Sequence, residues 1–166
     1  NQAGITVHNR PVVDVALSRA EETEAPAAAL ELADGRMITG KTTDLLGPCA
    51  ALLLNALKEL AGIPHSQPVI SPAAIEPIQT LKTQYLGSKN PRLHMDEVLI
   101  ALSVSAASDP NAQKALEQLP NLKGCQAHTS VMVSDVDRKL FMKLSIQATF
   151  EAKYENNSVI FPKKGI

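Results

Sequence analysis

Apolar residues cover almost every face of a helix predicted over residues 49–61. Leu52, Leu53 and Leu54 would point in different directions around such a helix, and a helix that is hydrophobic all round is buried on all sides. Gly62 and Pro64 follow it as a typical stop signal. Each fully buried leucine contributes about 1.5–3 kcal/mol, so the pattern predicts that this helix forms the centre of the core.

A β-hairpin is predicted shortly before that helix. Residues 28–32 and 36–40 are two β-capable runs, and Asp34-Gly35 lies between them. An Asp-Gly pair between two such runs is a strong turn signal, because glycine supplies the positive φ that these turns require. The sequence therefore predicts a hairpin that leads into the buried helix.

The remaining segments alternate between helical and strand-like patterns. Helices are predicted over residues 9–20, 71–86, 96–107, 109–119 and 134–144, strands over residues 124–133 and 146–152, and a short last strand at residues 159–161. Pro11 suits the first turn of the first helix, and Pro77 is expected to bend the second. The strand–helix–strand succession between Gly124 and Ala152 predicts a parallel crossover.

Together these elements predict an α+β fold with a mixed sheet of four or five strands flanked by five or six helices. Glu21, Glu22 and Glu24, followed by Pro26, are typical of a solvated linker. We therefore interpret residues 1–25 as an N-terminal helical arm and linker, and residues 26–166 as an α+β globular domain.

The composition narrows the class of protein. Hydrophobic residues make up 45% of the chain and charged residues 20%, which is the globular range. The net charge of -1 provides no basic surplus for phosphate backbones, so no nucleic-acid partner is expected. The most apolar run is too short for a bilayer, so no membrane contact is expected either. Cys49 and Cys125 form no disulfide pattern, which favours reduced thiols and a cytoplasmic location.

The run from Gly35 to Thr42 matches the phosphate-loop formula G-x-x-x-x-G-K-[ST]. Its middle residues suit a strand better than an anion-binding loop, so the hairpin interpretation is favoured. A phosphate or nucleotide site remains an alternative, because the N–H groups at a helix start bind anions readily. Its candidate ligand-binding residues are Gly40, Lys41, Thr42 and Thr43, completed by Arg92 or His94, with His128 as a further pocket-lining residue.

The sequence gives weaker signals for a metal site and for a nucleophile. His94 with Asp96 and Glu97, or Cys125 with His128, could contribute to a metal site, but the paired spacings typical of zinc are missing. Helix capping by Asp96 and ordinary surface or interface placement of the histidines explain these residues better, so no metal ligands are predicted and a metal-dependent hydrolase is only an alternative. A nucleophilic Cys125 or Ser130 beside His128 is disfavoured, because a cysteine without an activating base is more often a small buried hydrophobe.

Several contiguous segments resemble a family of large bacterial cytoplasmic proteins of uncharacterised function. They include Thr39-Gly40-Lys41-Thr42, Asn90-Pro91-Arg92-Leu93-His94, and residues 28–32, 34–36, 51–58, 96–102, 115–120 and 122–125. The resemblance spans nearly the whole chain and implies the carboxy-terminal region of such a protein. The start at Asn1, without Met or a signal pattern, fits an excised domain.

The resemblance also shapes the functional expectation. It implies an amino-terminal domain of the same full-length chain as partner, and that domain carries the family's better phosphate-loop-like string. Some relatives are described as ATP-dependent peptidases, yet this sequence has no zinc-protease motif and no complete nucleotide site. We therefore expect an accessory domain that forms a homo-oligomer contact and lines a ligand cleft of a nucleotide-binding protein. No reaction, catalytic residue or cofactor can be named from the sequence.

Overall fold

The computed structural model describes residues 10–152. Its helices are α1 (Pro11–Thr23), α2 (Pro48–Ala61), α3 (Pro72–Thr80), α4 (Met95–Ala106), α5 (Pro110–Leu116) and α6 (Asp135–Lys143), and its strands are β1 (Ala27–Glu31), β2 (Met37–Lys41), β3 (Gln126–Thr129) and β4 (Gln147–Phe150). A π-helical turn, Leu81–Tyr85, continues α3, and a 3-10 turn, Leu119–Leu122, follows α5. The α+β class with a mixed four-stranded sheet is thereby confirmed.

The four strands form one sheet in the order β2-β1-β3-β4. β1 is antiparallel to both β2 and β3, whereas β3 and β4 are parallel. The hairpin and the parallel crossover through α6 are therefore confirmed. β3 is shorter than the predicted strand over residues 124–133, because the Thr129 hydroxyl donates to the carbonyl of Val131 at 2.6 Å and the chain turns there. The predicted strand at residues 159–161 lies outside the described residues.

Helix α2 packs against one face of the sheet and forms the centre of the core, as predicted. Leu52, Leu53 and Leu57 are buried, and the main hydrophobic cluster also includes Leu30 of β1 and Leu102 of α4. The helix starts at Pro48, whose missing N–H is not needed in a first turn, and it ends at Gly62 with a φ of 73°.

Helix α1 covers the opposite face of the sheet. Val12, Val13 and Ala16 are buried there against Ala29 of β1. Glu24 ends the helix in the left-handed region. The division into an arm over residues 1–25 and a domain over residues 26–166 stays a prediction, but the described part of that arm is packed on the sheet.

The segment before α4 follows the sequence signals. Pro77 lies inside α3, where it lacks the N–H that would continue the hydrogen-bond ladder, and the helix widens into its π turn a few residues later. Gly87, with a φ of 75°, ends the segment.

Helix α5 ends at Leu116, shorter than predicted, because a separate 3-10 turn with Pro120 near its start follows. Within residues 10–152, every helix is too short or too polar to cross a membrane.

Candidate functional site

The run from Gly35 to Thr42 folds as a hairpin turn followed by a strand. Gly35 has a φ of 91°, and the amide of Leu32 donates to the carbonyl of Arg36 at 2.9 Å across the turn. At the other end, the amide of Thr42 donates to the carbonyl of Pro26 at 2.9 Å. A phosphate loop needs consecutive amides that converge on an anion, and here the strand pairs with β1 instead. The hairpin interpretation is confirmed.

Gly40 has a packing role. A Cβ atom at this position would lie 2.3 Å from the backbone nitrogen of Leu52, so α2 can approach β2 only because this residue has no side chain. Close approach of a helix to a strand therefore explains the second glycine of the motif.

The alternative that placed Gly40, Lys41 and Thr42 at a helix start is wrong. Gly40 and Lys41 lie in β2, whereas α2 begins at Pro48 with Gly47 as its N-cap. Thr43 caps a separate tight turn, since its hydroxyl oxygen accepts hydrogen bonds from the amides of Leu45 and Leu46 at 3.2 and 3.0 Å. The alternative of a nucleotide site at a helix start therefore loses its amide donors.

A cavity of about 230 Å³ nevertheless opens at the free edge of β2. Its polar lining side chains are Arg19, Thr39, Lys41, Thr43, Asn55 and His65, and Gly40, Leu46, Ala51 and Leu54 complete it. Arg92 lies next to it, because its Nε donates to the carbonyl of Thr43 at 2.5 Å. The structure thus brings Gly40, Lys41, Thr43 and Arg92 of the predicted set together, while Thr42 bonds back to Pro26 through its hydroxyl.

Two hydrogen bonds fix the walls of this cavity, and an ion pair joins the hairpin to α2. Asn55 Nδ2 of α2 donates to the carbonyl of Thr39 at 2.9 Å, which ties the helix to the strand edge. The Lys58 ammonium donates to the carbonyl of His65 at 2.8 Å and so holds the turn after α2 in place. Lys58 is buried, and burial lowers the pKa of its ammonium. Arg36 Nη1 pairs with Glu59 at 2.6 Å and joins the hairpin to α2.

Arg19 reaches the cavity from α1. Its Nη1 pairs with Glu22 at 2.7 Å, but its Nε is buried without an acceptor among the described residues. A buried donor without a partner costs about 1–3 kcal/mol. The guanidinium therefore keeps hydrogen-bonding capacity that its own helix does not use.

His94 has a structural role at the start of α4 and does not line this cavity. As N-cap it forms a capping box with Glu97, whose Oε1 accepts from the His94 amide at 2.7 Å. Lys82 of the π turn also binds Glu97 Oε1, at 2.9 Å. The sequence predicts capping by Asp96 and a surface position for this histidine, whereas the structure gives the N-cap position to His94.

His128 lies in β3, two strands away from the β2 edge, and on the face that α1 covers. Its Nδ1 lies 2.6 Å from the hydroxyl of Thr149, and its Nε2 lies 2.7 Å from Glu151 Oε2. Arg10 Nη1 donates to the same Thr149 hydroxyl at 2.8 Å. Since the histidine is almost completely buried, this network joins α1 to β3 and β4.

The candidate nucleophiles are inert in this arrangement. Cys125 is buried beside a cavity of about 270 Å³, and burial raises the pKa of its thiol, which keeps it protonated. Ser130 is buried, and its hydroxyl oxygen accepts from the amide of Ala27 at 2.9 Å. Neither cysteine forms a disulfide bond. Across residues 10–152, no three His, Cys, Asp or Glu side chains come together as a metal site.

Sequence reasoning missed Arg19, Asn55 and His65 as lining residues. Each lies on a different element from Lys41, and no local spacing links them to it. Their grouping around Lys41 becomes visible only once α1 and α2 are placed beside β2.

Comparison with known proteins shows which family the chain matches. Residues 8–160 match a family model described as "Domain of unknown function DUF1846, C-terminal". A UPF0371 protein of Corynebacterium glutamicum is 55% identical over 96% of this chain and 32% of its own length. UPF0371 proteins of Streptococcus thermophilus and Streptococcus pneumoniae are each 47% identical over 93% of this chain and 31% of their own length. The chain thus spans about a third of the length of the curated relatives it matches.

Proposed function

Because this chain belongs to the DUF1846 C-terminal domain family, we propose that it is an accessory domain that docks on the amino-terminal remainder of a longer protein and lines one wall of a ligand cleft. The relatives are about three times as long as the matched region, so a partner within one polypeptide is the natural occupant. The observation that carries the proposal is a set of exposed apolar residues on two elements that an ion pair joins.

This docking face consists of Tyr85 and Leu86 at the end of the π turn and Ile100 and Val104 on α4. All four side chains are exposed. Ile100 and Val104 are four residues apart and therefore share one side of α4. Exposed apolar patches on globular proteins mark interaction sites more often than isolated exposed residues do.

The two halves of the docking face lie beside the same ion pair. Lys82 of the π turn is buried and binds Glu97 of α4 at 2.9 Å. Tyr85 lies three residues after Lys82 and Ile100 lies three residues after Glu97, so both follow the ion pair closely along their own elements. A buried contact between these elements gives the face a rigid support.

The test is a calorimetric titration of the 166-residue chain with the separately produced amino-terminal two thirds of the Corynebacterium glutamicum relative. We expect binding, and we expect Val104→Asp to weaken it by at least about 2 kcal/mol, which is typical of a residue at the centre of an interface. Val104 is 70% exposed, and the control Met142→Asp replaces a 72% exposed residue on α6 that lies outside the docking face.

Three outcomes decide the proposal. Loss of binding in Val104→Asp but not in Met142→Asp supports it. Absence of binding by the wild-type chain overturns the docking role. A stable dimer of the 166-residue chain in light scattering, dissociated by Val104→Asp, would show that a second copy covers this face and would overturn the assigned occupant.

A further inference from the structure

We infer that the cavity at the free edge of β2 binds a phosphate group, free or carried on a small molecule, through Lys41 and Arg19 with His65 at its rim. This assignment rests on the cleft-lining part of the proposed function and names the class of ligand. The phosphate assignment does not depend on docking through α4.

The charge of the lining residues favours an anion. Arg19 and Lys41 are cationic at neutral pH, Arg92 lies beside Thr43, and no lining residue is a carboxylate. The adjoining groove along α1, which shares Arg19 and Thr39 with this cavity, includes Asp14 and Glu22, and the cavity beside Cys125 includes Glu31. Clefts lined by one sign of charge concentrate ligands of the opposite sign.

The cations are available to a ligand. Lys41 is exposed and forms no ion pair within the described residues, and Arg19 uses Nη1 for Glu22 while its Nε has no acceptor there. Glu22 is the carboxylate that competes with a ligand for Arg19. A phosphate carries more charge than one carboxylate and offers several acceptor oxygens to donors of this kind.

The frame around the cavity is preorganised. Gly40 admits α2 to the strand edge, Asn55 fixes that edge, and Lys58 fixes the carbonyl of His65. Side chains that face a ligand from such a frame lose less freedom on binding. A volume of about 230 Å³ lies below the range of pockets for drug-sized ligands, which indicates a small phosphorylated group and not a whole nucleotide within the walls.

The experiment is a titration of the 166-residue chain at constant ionic strength with inorganic phosphate, glycerol phosphate and acetate, followed by calorimetry and by ³¹P line broadening. We expect phosphate binding by the wild type, a loss of about tenfold or more in Lys41→Met, and retention in Lys41→Arg. Charge-assisted hydrogen bonds are strong enough for an effect of that size. The matched control Lys89→Met removes an exposed lysine from the loop before α4.

Each result bears on the assignment. Tighter binding of glycerol phosphate than of inorganic phosphate would identify a phosphate ester as the ligand, and the reverse order would identify free phosphate. No binding by the wild type, an equal loss in Lys89→Met, or acetate binding as tight as phosphate would each overturn the assignment. Arg19→Met is a second variant of the site. If it fails to fold, the substitutions of the exposed Lys41 still decide the test. Val104 lies on a different element from the phosphate cavity. If the docking titration succeeds while phosphate binding fails, the phosphate assignment is overturned and the docking role stands.

Discussion

The carboxylate of Asp137 in α6 accepts a hydrogen bond at 2.9 Å from the amide of Met95, the first residue of α4. Asp137 thereby caps a helix other than its own and joins two elements that are distant in sequence. The residue is buried, and burial raises the pKa of its carboxyl group, while the hydrogen bond from Met95 and the proximity of His94 oppose that shift. A buried cap of this kind combines a useful hydrogen bond with a costly charge.

Substitution of Asp137 separates these two contributions. Asp137→Asn retains an oxygen that can accept from Met95 and removes the buried charge, so we expect its free energy of unfolding at neutral pH to equal or exceed that of the wild type. Asp137→Ala leaves the amide of Met95 unsatisfied and should cost about 1–3 kcal/mol. Urea denaturation of both variants measures the difference, and an Asn variant as unstable as the Ala variant would contradict it.

The raised pKa of Asp137 also predicts that the free energy of unfolding depends on pH. A carboxyl group whose pKa is raised in the folded state binds its proton more tightly there than in the unfolded chain. The stability contributed by Asp137 is therefore greatest below the unfolded pKa of about 3.9, and it is lost as the pH rises through the folded pKa. In urea denaturation from acidic to neutral pH, wild type should lose stability relative to Asp137→Asn, and parallel pH profiles would rule this out.

Local patterns in the sequence were sufficient for much of the fold. Asp34-Gly35 specifies a turn by itself, and the leucines of α2 specify burial on all sides, so both elements were predictable. Serine favours the N-cap position, and the hydroxyl oxygen of Ser134 accepts from the amide of Asp137 at 3.2 Å. The carboxylate of Asp137, however, binds across to Met95, because that partner is set by how α6 packs beside α4.

The candidate site, like the fold, was only partly predictable from the sequence. Lys41 was found by a motif whose chemistry the hairpin does not support, yet the same lysine faces a basic cavity. Arg19 and His65 reach that cavity from α1 and from the turn after α2. Convergence of side chains from separate elements depends on tertiary packing, which no spacing in the sequence encodes.

Gly40→Ala should be among the most damaging small substitutions in the chain. Its Cβ would meet the backbone of Leu52 at 2.3 Å, and a helix backbone cannot move aside without disrupting the core. We expect a loss of about 3 kcal/mol or more, at or above the usual range for overpacking. Thermal and urea denaturation measure it, with Gly47→Ala as control because its Cβ would lie 3.7 Å from the nearest atom and its effect should be below about 1 kcal/mol.

Leu53→Asp tests the central position of α2. Leu53 is buried within the main cluster, and an aspartate there would place a charge without a partner among aliphatic side chains. We expect the variant to lose cooperative unfolding and to accumulate in the insoluble fraction, whereas Leu53→Met should retain the fold at a cost below about 1.5 kcal/mol. A Leu53→Asp protein that melts cooperatively would show that α2 is not the centre of the core.

Arg10 and Thr149 should act as one unit that holds α1 on the sheet. The Arg10 guanidinium donates to Gln126 Oε1 at 2.5 Å, to the Thr149 hydroxyl at 2.8 Å and to the carbonyl of Ala127 at 3.2 Å. Because the Thr149 hydroxyl accepts from Arg10, its own proton is available to Nδ1 of His128, and the two contacts depend on each other.

We expect Arg10→Met to cost about 1–3 kcal/mol, since hydrogen bonds from a charged donor are stronger than neutral ones and this donor is only partly buried. Thr149→Val removes the shared hydroxyl, so in a double-mutant cycle the two substitutions should couple by at least about 0.5 kcal/mol. Arg138→Met, which breaks an exposed pair with Asp135, serves as control and should change stability by less than about 0.5 kcal/mol. Additive effects of Arg10→Met and Thr149→Val in urea denaturation would show that α1 is held by its apolar residues alone.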